Sequence, residues 1–141
     1  MPYWRLFYHV VWGTKSREPL IQAEWEASLH NAIAAKAGEL GGFVHAVGGV
    51  EDHVHLVVSA PPQIALSTFI GQVKGASSHF ANHEWSLPYD FAWQPEYGVV
   101  SFGGKQLGIV VRYAKNQKQH HLAGTIIGTL ECTDPDGLAR V

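Results

Sequence analysis

Two histidines stand two residues apart in the run Asp52-His53-Val54-His55-Leu56-Val57-Val58. Side chains of a strand alternate between its faces, so His53 and His55 share one face while Val54, Leu56 and Val58 share the other. Paired imidazoles can give two nitrogen ligands to one divalent ion, leaving the remaining positions to a third side chain, water or substrate oxygens. The same pair also suits a half-exposed polar sheet face, and the spacing alone does not separate the two. Asp52 either orients an imidazole through a hydrogen bond or makes the turn before the strand. A second group lies further on: Tyr113 and Gln117 are four apart, with His120 and His121 near the same side of a helix one turn later. Tyrosine can serve as a covalent nucleophile, although its ordinary pKa of about 10 means that something must stabilise the phenolate or take its proton. A metal ion polarising the phosphate under attack would lower that barrier. The alternative at this stage is a tyrosine buried in an amphipathic helix.

The elements that must position these groups follow from patterning. Residues Trp4 to Trp12 are dense in aromatic and β-branched side chains and close at Gly13, which predicts a strand. Ile21, Trp25, Leu29, Ile33 and Leu40 recur near helical spacing until Gly41-Gly42 stops them. Phe43 to Val50 and His53 to Ser59 are β-rich runs forming a hairpin around Glu51-Asp52. Ile64 to Trp85 carries a second helical rhythm, Tyr97 to Phe102 a further strand, and Lys105 to His121 a third helix. This order predicts an α+β domain: a ferredoxin-like split β-α-β antiparallel sheet with an additional C-terminal helix carrying the tyrosine. The domain is expected over residues 1–124, with a short, unremarkable tail over 125–141. Trp4, Leu6, Tyr8 and Val10 share one face of the first strand, and Phe7 and Val11 the other. Both faces are apolar enough to be covered, by an edge-strand homodimer or by internal packing.

Composition narrows the class. With 141 residues, 46% hydrophobic and 16% charged, the chain has the make-up of one globular domain. A single cysteine, Cys132, cannot form an internal disulfide, and no apolar run approaches membrane-spanning length, so a cytoplasmic protein without a membrane segment is expected. Ten Lys and Arg against twelve Asp and Glu give −2, the wrong sign for gripping a nucleic-acid duplex through bulk charge. The distribution matters more than the sum. Lys105, Arg112, Lys115 and Lys118 fall in a stretch with no acid, whereas Glu131, Asp134 and Asp136 cluster in the tail.

The segments Tyr8 to Ile21, Gly48 to Pro62, Ile70 to Phe80, Phe91 to Phe102 and Val110 to His121 together resemble the transposases named for insertion sequence 200, including the REP-associated tyrosine transposases. The resemblance runs in order through most of the chain. It implies a single-tyrosine, HUH-type endonuclease and strand transferase acting on single-stranded DNA with hairpin or element ends. On that resemblance His53 and His55 form the histidine-hydrophobic-histidine motif, Gln117 is the third metal ligand and Tyr113 the nucleophile. Mg²⁺ or Mn²⁺ is the implied cofactor, and a homodimer the implied assembly. The tyrosine would join the 5′ phosphate side of the cut and release a 3′ hydroxyl.

Net charge does not supply DNA contacts, so local cations must. Lys15 and Arg17 after the first strand, Lys74 in the second helix, and Arg112 and Lys115 beside the tyrosine are the candidates, each equally at home on a solvated surface. Trp93 is assigned to packing rather than base stacking. Ser16 and Glu18 interrupt a loop that is often more basic in relatives, and Gly103-Gly104 opens the last helix where serine-type caps are common. Competing readings are a non-catalytic DNA-binding protein of the same fold, a metal-dependent hydrolase using water, and a small-molecule or regulatory module.

Overall fold

In the computed structural model, which describes residues 2–134, the strands are β1 (Phe7–Gly13), β2 (Phe43–Val50), β3 (His53–Ser59) and β4 (Gly98–Phe102). They form one sheet in the order β2-β3-β1-β4, with every neighbouring pair antiparallel. Helices α1 (Ala23–Glu39) and α2 (Leu66–Glu84) connect β1 to β2 and β3 to β4, the ferredoxin-like split β-α-β arrangement that the sequence predicts. β1 starts later than Trp4, because its partners end at Phe102 of β4 and Ser59 of β3, leaving residues 4–6 nothing to pair with. β1 also lies inside the sheet. The free edges belong to β2 and β4, so the first strand offers no edge for a second copy.

The alternation of β1 and β3 divides the molecule into two layers. Val10, Trp12, Val54, Leu56 and Val58 face α1 and α2, where they pack with Trp25, Leu29, Ile33, Phe69, Ile70 and Val73. Each fully buried side chain of this kind contributes roughly 1.5–3 kcal/mol relative to exposure, so this layer carries most of the stability. Gly41, at φ 91°, ends α1 and lets the Gly42 N–H reach the Ala37 carbonyl at 2.9 Å. The long loop before β4 is fastened from beneath. Lys74 is buried, and its ammonium donates to the carbonyls of Gln94, Pro95 and Glu96 at 2.6, 3.2 and 3.0 Å. Trp93 packs edge-on against Trp12 and Phe91 and donates its indole N–H to Ser77, which bears out the packing assignment.

The opposite face of the sheet carries the tyrosine helix. Ala46 and Val57 pack there against Val110 and Ala114 of α3 (Leu107–Lys115), flanked by Phe102, Leu107 and Val111. The helix expected over 105–121 is not continuous. It breaks at Asn116 (φ −104°, ψ 31°) and resumes as α4 (Gln117–Ala123). At the break the Gln117 side-chain amide, rather than a regular helical turn, donates to the Tyr113 carbonyl at 3.1 Å, the kind of local competition that interrupts helices. Lys118 then ties α4 to α1 and β2 through Glu26 at 2.5 Å and the Gly49 carbonyl at 3.3 Å. Beyond α4 a single 3₁₀ turn spans Gly128–Leu130; Asp136 and the rest of the tail from residue 135 lie outside the described residues. Among the described residues no helix is long and apolar enough to cross a membrane.

Close approach of α3 to the sheet depends on Gly48, where an added Cβ would lie 1.7 Å from the Ala114 carbonyl oxygen. Gly48→Ala should therefore lift α3 and lower stability by about 1–3 kcal/mol, as overpacking does. Gly71→Ala in α2, with nothing within 4 Å, should instead stabilise by roughly 0.4–1 kcal/mol. Urea unfolding of the two variants checks the contrast.

Candidate active site

β3 is buried along its whole length, so its outward histidines are desolvated and need partners. His53 (1% exposed) donates from Nδ1 to Asp52 Oδ1 at 2.7 Å, and Asp52 is held in turn by Arg17, Nε to Oδ2 at 3.5 Å. His55 (0% exposed) shares a 2.7 Å hydrogen bond between its Nδ1 and His9 Nε2 on β1. Both imidazoles are thus anchored through Nδ1 and turn Nε2 toward the same point. This orientation is the one ligating histidines adopt when a carboxylate or second ring fixes the far nitrogen.

Three further groups converge on that point from beyond β3. Gln117 Oε1, on α4, lies 3.3 Å from His53 Nε2 and 3.1 Å from His121 Nε2. Glu131, just past the 3₁₀ turn, places Oε1 3.2 Å from both His53 Nε2 and His55 Nε2. Its other oxygen accepts the hydroxyl proton of Tyr113, whose own oxygen accepts the Ile127 N–H at 2.9 Å. The Tyr113 ring meets His55 edge-on and lies 4.7 Å from the His120 ring. All of these groups belong to one copy of the chain.

The electrostatics follow from burial and pairing. Burial opposes charge on His53, but its bonds to Asp52 and Glu131 outweigh that and lift its pKa to about 9. Burial lowers His55, and burial together with the neighbouring His55 lowers His9 to about 3. Burial would raise Glu131, yet the two histidines and Tyr113 hold its carboxyl far below the usual carboxylate range. Burial and the Glu131 contact push the Tyr113 hydroxyl up to about 12.

The residues fit a divalent ion. One ligand atom from each of His53, His55 and Glu131 lies within 4.8 Å of the others, and His55 Nε2 is a buried nitrogen with no aligned hydrogen-bond partner. Two imidazole nitrogens with carboxylate or amide oxygen form a donor set suited to first-row and hard divalent ions alike. Ligation through His55 Nε2 requires its proton on Nδ1, given to His9, and a neutral His9 can accept it.

The sequence expectations meet here unevenly. His53, His55, Tyr113 and Gln117 come together. His9 and Glu131 join them without having been singled out, and Glu131 belongs to the tail expected to be unremarkable. Lys15, Arg17, Arg112 and Lys115 are exposed, whereas the Lys74 ammonium is taken up by three carbonyls and is not presented to a ligand. Ser16 and Arg17 both adopt positive φ, at 57° and 53°, a strained conformation for non-glycine residues.

The ferredoxin-like sheet places a buried histidine pair opposite a helical tyrosine, and comparison with known proteins gives the family. The profile described as "Transposase IS200 like" matches residues 2–117, so the chain belongs to the IS200-like transposase family. It is 27% identical over 119 residues to the ISDra2 transposase TnpA of Deinococcus radiodurans, covering 81% of this chain and 85% of that protein. To the transposase of insertion sequence element IS200 from Salmonella typhimurium it is 25% identical over 126 residues, covering 86% and 82%. A crystal structure of a transposase from Deinococcus radiodurans R1 superposes with TM-score 0.64 at 27% identity, over 83% of this chain and 95% of that one. A REP-associated tyrosine transposase bound to a REP hairpin shares the fold, with TM-score 0.62 at 16% identity over 89% and 76%.

The histidine pairing gives a pH prediction. Unfolded His9 binds a proton near its ordinary pKa of about 6.5, while the native ring stays neutral down to about 3. Stability therefore falls as pH drops between those values, by up to ~1.4 kcal/mol per pH unit from this group. With chelator present, His9→Asn should show a shallower loss of stability than wild type between pH 6 and pH 4, measured by urea unfolding.

Proposed function

We propose that this chain is an active single-strand DNA transposase that cuts and rejoins by transesterification at Tyr113. The observation that carries the reading is that the Tyr113 hydroxyl and the Nε2 atoms of His53 and His55 meet at the two oxygens of one carboxylate, so nucleophile and candidate ligands lie within a single phosphate's reach. In the reaction, Tyr113 Oη attacks the scissile phosphorus, the bond to the 3′ oxygen breaks, and that oxygen leaves as a 3′ hydroxyl after taking a proton. The tyrosine loses its proton and keeps the 5′ phosphate, and the reverse step rejoins a new end.

His53 and His55, with Gln117 as third ligand, would hold Mg²⁺ or Mn²⁺, which neutralises charge on the non-bridging phosphate oxygens when bound. Asp52 fixes the tautomer of His53, and His9 that of His55. Exposed Lys15, Arg17, Arg112 and Lys115 track the DNA backbone around this centre, and Arg17 stands beside it, against Asp52 and 3.3 Å from His53 Nδ1. The substrate is single-stranded DNA with hairpin or element ends. A homodimer belongs to the same reading: the free edges are β2 and β4, and Phe43 on β2 is 66% exposed. Residues 1–124 form the catalytic domain on this reading.

Full-length protein incubated with labelled single-stranded DNA from around its own gene and Mn²⁺ should give a shifted band on a denaturing gel. Chelator or Tyr113→Phe should abolish the band, while Tyr113→Phe keeps DNA binding. Asp52→Asn should reduce the adduct rate by about 10–100-fold, the usual effect of losing a group that orients a ligand. An adduct formed by Tyr113→Phe at the normal rate would overturn the nucleophile assignment.

A further inference from the structure

After α4 the chain reverses at Gly124 (φ 70°) and returns across the open side of the histidine cluster. Its return is fixed at several independent points. The Ile127 N–H binds the Tyr113 oxygen at 2.9 Å, and Leu130 is 8% exposed. The Glu131 carboxylate sits 3.2 Å from both histidine Nε2 atoms and takes the tyrosine's hydroxyl proton. The Cys132 carbonyl lies so close to β4 that a Cβ on Gly98 would stand 1.8 Å from its oxygen. Gly98 has no left-handed φ to explain a glycine, so close approach of the tail is what requires one there. The sheet is shaped to seat this segment.

Seated, it shuts the site. Tyr113 is 2% exposed, Gln117 and His53 1%, and His55 0%. A phosphodiester in attack position needs the tyrosine oxygen beside its phosphorus and a non-bridging oxygen on the side that the imidazole nitrogens face, where the ion they would hold could reach it. The two Glu131 oxygens already fill that space, one on the tyrosine hydroxyl and the other 3.2 Å from both imidazole nitrogens. We propose that residues 125–132 are a built-in occupant of the active site, with the Glu131 carboxylate standing where the scissile phosphate must go, so that single-stranded DNA gains access only by displacing it. The proposal rests on the tyrosine-nucleophile reading above. The competing role for Glu131, a permanent ligand or the base for Tyr113, requires the carboxylate to stay in place during reaction, and in place it leaves the nucleophile no opening.

The two roles predict opposite signs. Full-length wild type, Glu131→Ala, Glu131→Gln and Gly98→Ala are compared for the rate of covalent adduct with single-stranded DNA and Mn²⁺. Gly98→Ala unseats the tail without altering a group of the site. In parallel, maleimide labelling of Cys132, the chain's only cysteine, is timed without DNA. Displacement predicts adduct formation several-fold to roughly tenfold faster in Glu131→Ala and Gly98→Ala, because a larger fraction of molecules is competent. It also predicts faster labelling of Cys132 in both, and a smaller change in Glu131→Gln. Slower adduct formation in Glu131→Ala together with weaker Mn²⁺ binding would overturn the proposal in favour of a ligand or base. Unchanged labelling in Gly98→Ala and Glu131→Ala would overturn the seat itself. If no protein, wild type included, forms an adduct, the nucleophile reading fails instead, and the labelling rates still decide whether the tail is held as described.

Discussion

β3 is buried on both faces, and that constraint organises everything around it. Its inward side chains, Val54, Leu56 and Val58, join the apolar layer under α1 and α2. Its outward side chains are two imidazoles, Val57 and Ser59, and burying imidazole is unfavourable unless its nitrogens are paired. Asp52 takes one Nδ1 and His9 the other, which leaves the two Nε2 atoms as the unsettled demand of the strand. A buried strand that carries such a demand specifies a third layer, because something polar must come down onto that face. Gln117 and Glu131 are what comes down.

How they arrive depends on backbone detail rather than on pattern. Gly48 lets the Ala114 carbonyl pass close over β2, which brings α3 near enough for Tyr113 to meet His55. The break at Asn116 then turns Gln117 inward, where an unbroken helix would have presented the next residues on a regular spiral. Lys118 fixes the new direction by bonding to α1 and β2. The stable layer and the chemical layer therefore share one sheet but not one set of contacts. Strain at Ser16 and Arg17 stays at the chemical end, consistent with backbone conformations retained for positioning rather than stability.

This division explains what was legible in the sequence. Period-two alternation placed His53 and His55 correctly, and a four-residue spacing brought Tyr113 and Gln117 together even though the helix between them breaks. The same alternation, applied to β1, puts His9 with Phe7 and Val11 on the outward face, but the aromatic run around it reads as uniformly buried strand and hides a single polar ring. Glu131 had no local sign at all. It is one of three acids in the tail after a weakly patterned stretch, and only the chain reversal at Gly124 and the seat at Gly98 bring it to the histidines. Lys74 failed in the opposite way: its charge suggests a surface cation, and its burial is decided by three loop carbonyls that no side-chain pattern announces.

A chain of net charge −2 that acts on a polyanion must rely on local rather than total charge. Lys15, Arg17, Arg112 and Lys115 are exposed and are the cations the proposed reading assigns to the strand, and Debye screening within about 10 Å at moderate salt makes such local charge, not the total, what a strand would meet. The Glu131 carboxylate is held by two imidazoles and a phenol. Two anions cannot share those partners, since each would lose to repulsion what it gains from the histidines. On the proposed reading a phosphate arriving there does not add to the carboxylate but replaces it, carrying the same charge and facing the same imidazole nitrogens through the ion they would hold. Exchange of one anion for another would keep His53 and His55 partnered throughout, and so let a strand with both faces buried keep its two polar residues without leaving their nitrogens unmatched.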